Sequence, residues 1–433
     1  MSTLTIPLSR IEGHARVVIH FVGDQAVSAH FQATELRGFE RFVQGAPAEQ
    51  MPIIVPRICG VCSTAHHLAA VKALEHLYGV SVPIKAVRIR ELMMLGQIIQ
   101  NQATSLFMFT MPDLPGQTGV PSLFQLGDVD PRIAPRALGV RRVGTRLIAL
   151  AGGQYIHPVR AVVGGVSGGI ANDDARAMRR ELAEALTWAR YLVDEYTRLF
   201  RGLRERIGTL GDDSPTYCLA AISHGHAFYG EELRVMAPDG SVEEAFAVCD
   251  YAQHLIEVPI EGSYSSGTLY HDKLLRANSL ARLNLDPHPS TPLARMYADS
   301  FWQEWGYPAH AILLYDVARG VELVYALERA LELLDDDLAS GELRTGYEPR
   351  DGTGCGLVEA PRGPLIHHYR VEHGLISAVK FIIPTQHNVL AIERALLVAA
   401  RRYVSAAGID LELERAVGRV VRAFDPCIAC ATH

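Results

Sequence analysis

The sequence predicts a helix-rich α+β fold: long helices in the core, small antiparallel sheets at the periphery, and N- and C-terminal ends that meet at one metal site. Three observations predict it. Leu313, Val317, Val321, Val324, Leu327, Leu331 and Leu334 recur at steps of four and three, the spacing of one apolar helix stripe. Shorter stretches alternate apolar and polar residues, as half-buried strands do. Two C-x-x-C clips, Cys59/Cys62 and Cys427/Cys430, stand near opposite ends of the chain. Four thiolates suffice to hold one metal centre.

At 433 residues, a prior of ~150 residues per domain suggests three domains. A site built from both ends overrides that prior, because it welds residues 1–433 into one domain, with a peripheral excursion over 213–300. The 48% hydrophobic and 21% charged content is that of a globular chain able to bury a large core. A formal charge of −7 gives no support for nucleic-acid binding. Residues 1–10 lack the apolar run of a signal peptide, and no uncharged apolar run reaches the ~18 residues of a membrane helix. With seven cysteines, four of them in tight pairs, the chain reads as a cytoplasmic protein with a metal or redox site rather than a disulfide framework.

In chain order, Ala15, Val17, Ile19 and Phe21 share one face of a strand, Gly23-Asp24 turns, and Val27–Thr34 returns. Gly45–Pro56 holds three prolines and is expected to be irregular. Helices are expected over Thr64–Tyr78, ending at Gly79, and over Ile84–Phe109, which is apolar enough to be buried. Pro112–Pro135 reads as a loop, Arg136–Ala151 as a helix and Asp173–Arg206 as an exposed amphipathic helix. Strands and loops are expected over 213–300, then a helix over Ala309–Asp335. Gly352–Gly363 reads as a Gly/Pro loop, and Leu365–Tyr369 and Leu375–Ile383 as a hairpin turning at Glu372-His373-Gly374. Asn388–Ser405 and Leu411–Ala423 are the last helices.

The clips have a bland reading, a structural Cys₄ zinc site, but such pairs usually clip a small module and here 364 residues lie between Cys62 and Cys427. The neighbours add chemistry. His66 lies one helical turn beyond Cys62. Arg362 sits in the loop Glu359-Ala-Pro-Arg-Gly-Pro364, where a fixed guanidinium can face an anionic ligand. Glu12 precedes Gly13, a residue that permits close backbone approach. Singly, each has a plain alternative: a satisfied core histidine, a surface arginine, an exposed carboxylate.

Five segments together resemble the large, catalytic subunit of the [NiFe]-hydrogenases: Arg10-Ile-Glu-Gly-His14, Arg37-Gly-Phe-Glu40, Arg57-Ile-Cys-Gly-Val-Cys62, Glu359-Ala-Pro-Arg-Gly363 and Asp425-Pro-Cys-Ile-Ala-Cys430. They occur in the family's order and span residues 10 to 433. The resemblance implies that Cys59, Cys62, Cys427 and Cys430 hold nickel, with Cys62 and Cys430 bridging to an iron that carries carbon monoxide and two cyanides. It implies heterolytic cleavage of H2 with Cys427 as base, Arg362 over the open metal position, Glu12 as proton acceptor and Asp425 holding Arg362. Arg362 and Thr385 would bond the cyanides, Leu365, Ile383 and Pro384 would pack around the iron carbonyl, and His66 would bond a bridging cysteine. A magnesium ion would be held by Glu40, the carbonyl of Phe381 and His433. Family precursors usually carry an extension cut after this histidine, so the resemblance makes the ending at His433 either a processed or an extension-free end. Where some relatives have a carboxylate that helps place the arginine, this chain has Asn101, which is expected to fill that place; the segment Pro384-Thr-Gln-His-Asn388 also departs from the common form.

Beyond the four ligands only Cys218, Cys249 and Cys355 remain, scattered singly, so the chain has no Cys₄ set for an iron–sulfur relay. It also lacks a nucleotide-binding glycine motif. Electrons therefore require an iron–sulfur small subunit, and the segments Glu35–Glu40 and His66–Ala70 resemble those of cytoplasmic multi-subunit enzymes coupled to flavin/NAD(P), deazaflavin or heterodisulfide-type acceptors. A regulatory H2 sensor with low turnover is the alternative reading.

Overall fold

The computed structural model describes residues 2–114, 122–206, 210–403 and 411–433. Its core is a set of long helices. Ile84–Ala103 packs along Ile133–Gly152, and Leu314–Leu333 lies against both Ile84–Ala103 and Asn172–Arg201. The stripe read from sequence is the reason: Val321, Val324 and Leu327 are buried, and the last turn closes with Leu333 and Leu334. The Asn172–Arg201 helix is amphipathic as expected, burying Leu182, Ala185, Ala189 and Leu192.

One expected helix ends differently. After Ala103 the backbone opens into a π-helical stretch, Thr104–Thr110, instead of continuing as α-helix to Phe109. The Thr110 hydroxyl donates to the carbonyls of Ser105 and Leu106 at 3.2 and 3.1 Å, and the Arg419 guanidinium takes the Thr110 carbonyl at 2.9 Å. Side-chain bonds of this kind compete with the α-helical ladder. Part of the expected 112–135 loop, residues 115–121, lies outside the described residues, as do residues 404–405 at the end of the helix Gln386–Tyr403.

The sheets surround these helices. Strands β1 (Ser2–Pro7), β2 (Ala15–Val22) and β3 (Gln25–Ala33) form an antiparallel sheet in that order, with β1 unforeseen in the sequence. A short pair, β4 (Ala161–Val162) and β5 (Gly165–Val166), turns through Gly164 in the segment Gly164-Gly-Val-Ser-Gly-Gly169. The 213–300 region holds a six-stranded sheet of β6 (Tyr217–Ala220), β7 (Glu232–Met236), β8 (Val242–Ala247), β9 (Leu255–Pro259), β10 (Ser266–Tyr270) and β11 (Lys273–Arg276). Its order is β8-β7-β6-β11-β10-β9, and only β6 and β11 run parallel. The stretch Gly45–Pro56, expected to be irregular, winds into short helical turns at Ala48–Gln50 and Met51–Ile54 and enters a third at Val55–Ile58.

The clearest correction concerns Gly352–Gly363. It is not a loop but strand β12 (Gly352–Ala360), paired with β13 (Gly363–Glu372) and through it with β14 (Leu375–Ile382). Its glycines mark a close approach: a Cβ on Gly356 would stand 2.0 Å from the carbonyl oxygen of Ala69 in the helix Ser63–Tyr78. That contact presses the sheet onto the helix that starts at the first cysteine clip.

A second correction concerns the scattered cysteines. Cys249 and Cys355 are joined by a disulfide across 106 positions, because β12 runs beside the turn Val248–Asp250; Cys218 alone stays free and buried. No helix among the described residues is long and apolar enough to cross a membrane.

Candidate metal centre

Both clips are presented by chain reversals. Cys62 is the N-cap of the helix Ser63–Tyr78. The amide of Ala65 in the first turn donates to Gln97 Oε1 at 2.9 Å, so this buried helix start has a partner. At the other end, the helix Leu411–Phe424 stops because Asp425 adopts a left-handed conformation (φ 50°) and Pro426 cannot continue it. Cys427 then caps the short helix Ile428–Ala431, which carries Cys430.

The chain ends are held together by backbone. Glu12 and Cys427 form a parallel bridge, and Ile428 N–H donates to the Glu12 carbonyl at 3.1 Å. Gly13 (φ 78°) makes this possible, since a Cβ there would lie 2.7 Å from that of Ile428. The four sulfurs converge: Cys427 Sγ is 3.4 Å from Cys59, 3.7 Å from Cys62 and 3.0 Å from Cys430. All four cysteines are buried.

This donor set fits a soft metal centre. Hydrogen bonds from Cys427 and Cys430 hold the Cys62 thiol well below its usual range, whereas burial pushes Cys427 and Cys430 well above theirs. Four closely packed thiols cannot all ionise beside one guanidinium without further positive charge. Bound divalent metal would supply it.

Two charged side chains border the sulfurs. Cys427 Sγ–H donates to Glu12 Oε2 at 3.1 Å, as does the Ala429 N–H at 3.0 Å. Burial, then the charge of Cys59, raises the Glu12 pKa above the ordinary carboxylate value. On another side Arg362 Nη1 lies 3.4 Å from Cys62 Sγ, Nη2 donates to Asp425 Oδ1 at 3.1 Å and Nε donates to the Asp425 carbonyl. Asn101 Nδ2 donates to the other Asp425 oxygen at 3.0 Å, so Asn101 supports Arg362 through Asp425.

Comparison with known proteins agrees with this geometry. The nickel-dependent hydrogenase family model matches residues 37–113 and 221–433, and a HoxL-like model matches residues 3–36. The chain belongs to the nickel-dependent hydrogenase family. It is 37% identical over 408 residues to a vhu subunit of the F420-non-reducing hydrogenase of Methanocaldococcus jannaschii, covering 91% of this chain and 97% of that protein. It is 32% identical to the NAD-reducing hydrogenase HoxS subunit beta of Cupriavidus necator, covering 99% and 93%. Its fold superposes on a solved NAD+-reducing [NiFe]-hydrogenase with TM-score 0.95 and 33% identity over the whole of both chains. The protein is therefore a hydrogenase large subunit of the nickel–iron type, an oxidoreductase.

Of the remaining predicted residues of this hydrogenase, Thr385 touches the second clip. The Thr385 hydroxyl oxygen accepts the Cys427 N–H at 3.0 Å, which leaves its own proton free to donate elsewhere. Leu365, Ile383 and Pro384 are buried, and Gln386 Oε1 accepts the Ile383 N–H at 2.6 Å.

His66 also makes a contact that the sequence did not predict. Its Nδ1 bonds His367 Nε2 at 3.0 Å. His367 Nδ1 in turn faces the Tyr369 hydroxyl at 2.7 Å. Burial holds both imidazoles neutral, His66 down to about 4. If the Tyr369 hydroxyl donates, His367 carries its proton on Nε2 and His66 carries its own on its Nε2, which is buried without a partner among the described residues.

Glu40 and His433, two of the three residues expected to hold magnesium, meet in the fold. His433 Nε2 lies 3.3 Å from Glu40 Oε1, and its Nδ1 bonds the Cys430 carbonyl at 3.0 Å. Phe381, however, meets Glu40 through its N–H at 2.9 Å and not through its carbonyl, and Lys380 Nζ stands 3.6 Å from the same oxygen. Lys380 is held more closely by Glu257, at 2.8 Å. One carboxylate and one imidazole leave the several water positions that magnesium favours.

Sequence reasoning missed the supporting residues. Asn388 accepts the Ala277 N–H at 2.9 Å and reaches the Arg362 carbonyl at 3.5 Å; Asn278 donates to the Phe424 carbonyl at 2.7 Å. Arg282 was missed too, although it bonds Glu359 and Ala360 at the end of β12 and Pro361 in the turn that carries Arg362. No local motif marks these residues; only their burial in the fold does.

Proposed function

We propose that this chain cleaves and forms H2 reversibly at a nickel–iron centre held by Cys59, Cys62, Cys427 and Cys430, and that the electrons pass to an iron–sulfur small subunit. The observation that carries the proposal is the convergence of four buried sulfurs with a guanidinium and a proton-accepting carboxylate at hydrogen-bond range. When bound, the metal pair supplies a soft Lewis-acidic position that polarises H2 for heterolytic cleavage.

The chain's own residues handle the proton. The Cys427 sulfur takes it and delivers it to Glu12 Oε2, 3.1 Å away. Burial raises the Glu12 pKa, which brings donor and acceptor closer in proton affinity and makes exchange in both directions feasible. Asp425, steadied by Asn101, fixes the Arg362 fork against the sulfurs. Donors of Arg362 and Thr385 not already used are suited to two cyanides on iron, and Leu365, Ile383 and Pro384 to an apolar wall around its carbon monoxide. His66 Nε2–H would be suited to one of the cysteine sulfurs that hold the metals. Glu40, His433 and the Phe381 carbonyl would hold magnesium, with Lys380 drawn onto Glu257.

The relatives named as F420-non-reducing and NAD-reducing hydrogenase subunits support a cytoplasmic, multi-subunit enzyme with further flavin/NAD(P) or heterodisulfide-type partners. Elemental analysis and infrared spectroscopy test the centre. One nickel and one iron per chain with carbon monoxide and cyanide bands are expected, and zinc alone would overturn it. Sustained H2-dependent reduction of an artificial dye is expected, whereas a single turnover without steady reduction would indicate a sensor. Glu12→Gln should keep both metals and slow H/D exchange by about 10²–10⁴-fold; unchanged exchange would remove Glu12 from the path.

A further inference from the structure

Far from the four sulfurs in sequence, the six-stranded sheet region carries a second group of ligand-type side chains. Glu244 lies in β8, His254 ends the helical turn Tyr251–His254, and His271 opens the two-residue turn between β10 and β11. One donor atom from each lies within 4.8 Å of the other two. We propose that Glu244, His254 and His271 bind a divalent transition-metal ion of the zinc type, separate from the hydrogen-activating centre.

Two imidazoles and one carboxylate form a three-ligand set that zinc accepts, with a fourth position left to water. His271 is exposed, so such a position would be open to solvent. His254 Nδ1 lies at ion-pair range, 3.0 Å from Glu244 Oε2, yet is shielded from water and makes no hydrogen bond among the described residues. The two atoms therefore approach closely without hydrogen-bond geometry, and a shared cation would give the His254 nitrogen a partner.

The backbone also favours the site. His271 adopts φ 51° in the turn closed by the Tyr270–Lys273 pair. Glycine, asparagine or aspartate fills such a position at least cost. A histidine held there is the kind of local strain that accompanies a function. Its N–H donates to the His254 carbonyl at 2.8 Å, which ties the two histidines at fixed spacing through backbone.

Supporting contacts orient two of the ligands. The Tyr270 hydroxyl donates to Glu244 Oε2 at 2.8 Å, the kind of bond that aims a metal-binding carboxylate. The His254 ring stacks on Phe246 with centroids 4.0 Å apart. The nearby Lys273 ammonium is paired with Asp272 at 3.4 Å.

Cobalt titration of the metal-loaded hydrogenase tests the proposal, because Co2+ reports its ligands optically. One Co2+ per chain should bind with ligand-field bands but without a thiolate charge-transfer band, and Zn2+ should displace it. His271→Ala, at an exposed turn, and Glu244→Gln should each weaken binding about tenfold or more, while H2-dependent dye reduction stays unchanged. Absence of saturable binding, or binding equally tight in both variants, would overturn the site. A thiolate band alone would overturn it as well, and would show instead that the four-cysteine centre was not filled by nickel and iron.

Discussion

Two buried arginines, Arg282 and Arg362, meet the same short segment, Glu359–Arg362, and do opposite things. Arg282 makes five hydrogen bonds, to Glu322 at 2.6 and 2.8 Å, Glu359 at 2.7 Å and the carbonyls of Ala360 and Pro361 at 3.2 and 2.8 Å. A guanidinium has five N–H donors, so this one is saturated. Arg362 makes three bonds among the described residues, two to Asp425 and one to the Cys62 sulfur. Equal burial thus conceals different functions. A saturated guanidinium fixes the fold, whereas one with donors to spare beside four sulfurs can meet a ligand.

Substitutions separate the two roles, and the largest effect belongs to the metal side. Cys62→Ala removes the sulfur that Arg362 faces; metal analysis should show loss of the centre and hydrogenase activity should fall below detection. Arg282→Met leaves the buried carboxylates of Glu322 and Glu359 without their cation and should cost about 3–5 kcal/mol in denaturant unfolding. Arg362→Lys should act on the reaction instead. It keeps the charge but loses the planar fork, so activity should drop about 10²-fold with metal content and unfolding midpoint retained. A matching loss of stability would mean that Arg362 is structural like Arg282. Asn101→Ala should have a smaller effect of the same kind, about 1–2 kcal/mol in activation free energy, by freeing one oxygen of Asp425.

The smallest effect is a pH slope on the Arg282 side. Burial raises Glu359 from 4.5 to about 7, while Arg282 overcomes burial and lowers Glu322 to about 2. A raised carboxyl pKa means that the folded state binds the proton more tightly. The contribution of Glu359 is therefore complete below pH 4.5 and is lost as pH rises through 7. Thermal midpoints of the native protein should decline across that window, and Glu359→Gln should flatten the decline.

Both arginines were present in the sequence, but only Arg362 was legible, because a turn-rich motif flagged it. Arg282 sits in the helix Ser279–Leu285, within a region read only as mixed strands and loops. The long helices were readable because burial of one face imposes a period near 3.6 along the chain. Strand β12 was misread because its glycines, which look like loop punctuation, serve the close approach of the sheet to the helix Ser63–Tyr78. The π-helical stretch depended on Thr110 and Arg419, 309 positions apart, and could not be seen locally.

The order of residues alone established the ligand types, the two clips and the family, since thiolate spacing and the residues beside it are local chemistry that survives in one dimension. It also led to the expectation of an iron–sulfur relay on another chain. Which atoms face one another was set only by the tertiary fold. It brought Glu12 to Cys427, left Arg362 with donors to spare, turned His66 toward His367, joined Cys249 to Cys355 and gathered Glu244, His254 and His271. Those outcomes depend on contacts between distant segments, whose geometry is set by packing and backbone hydrogen bonding of the whole fold rather than by any local run of residues.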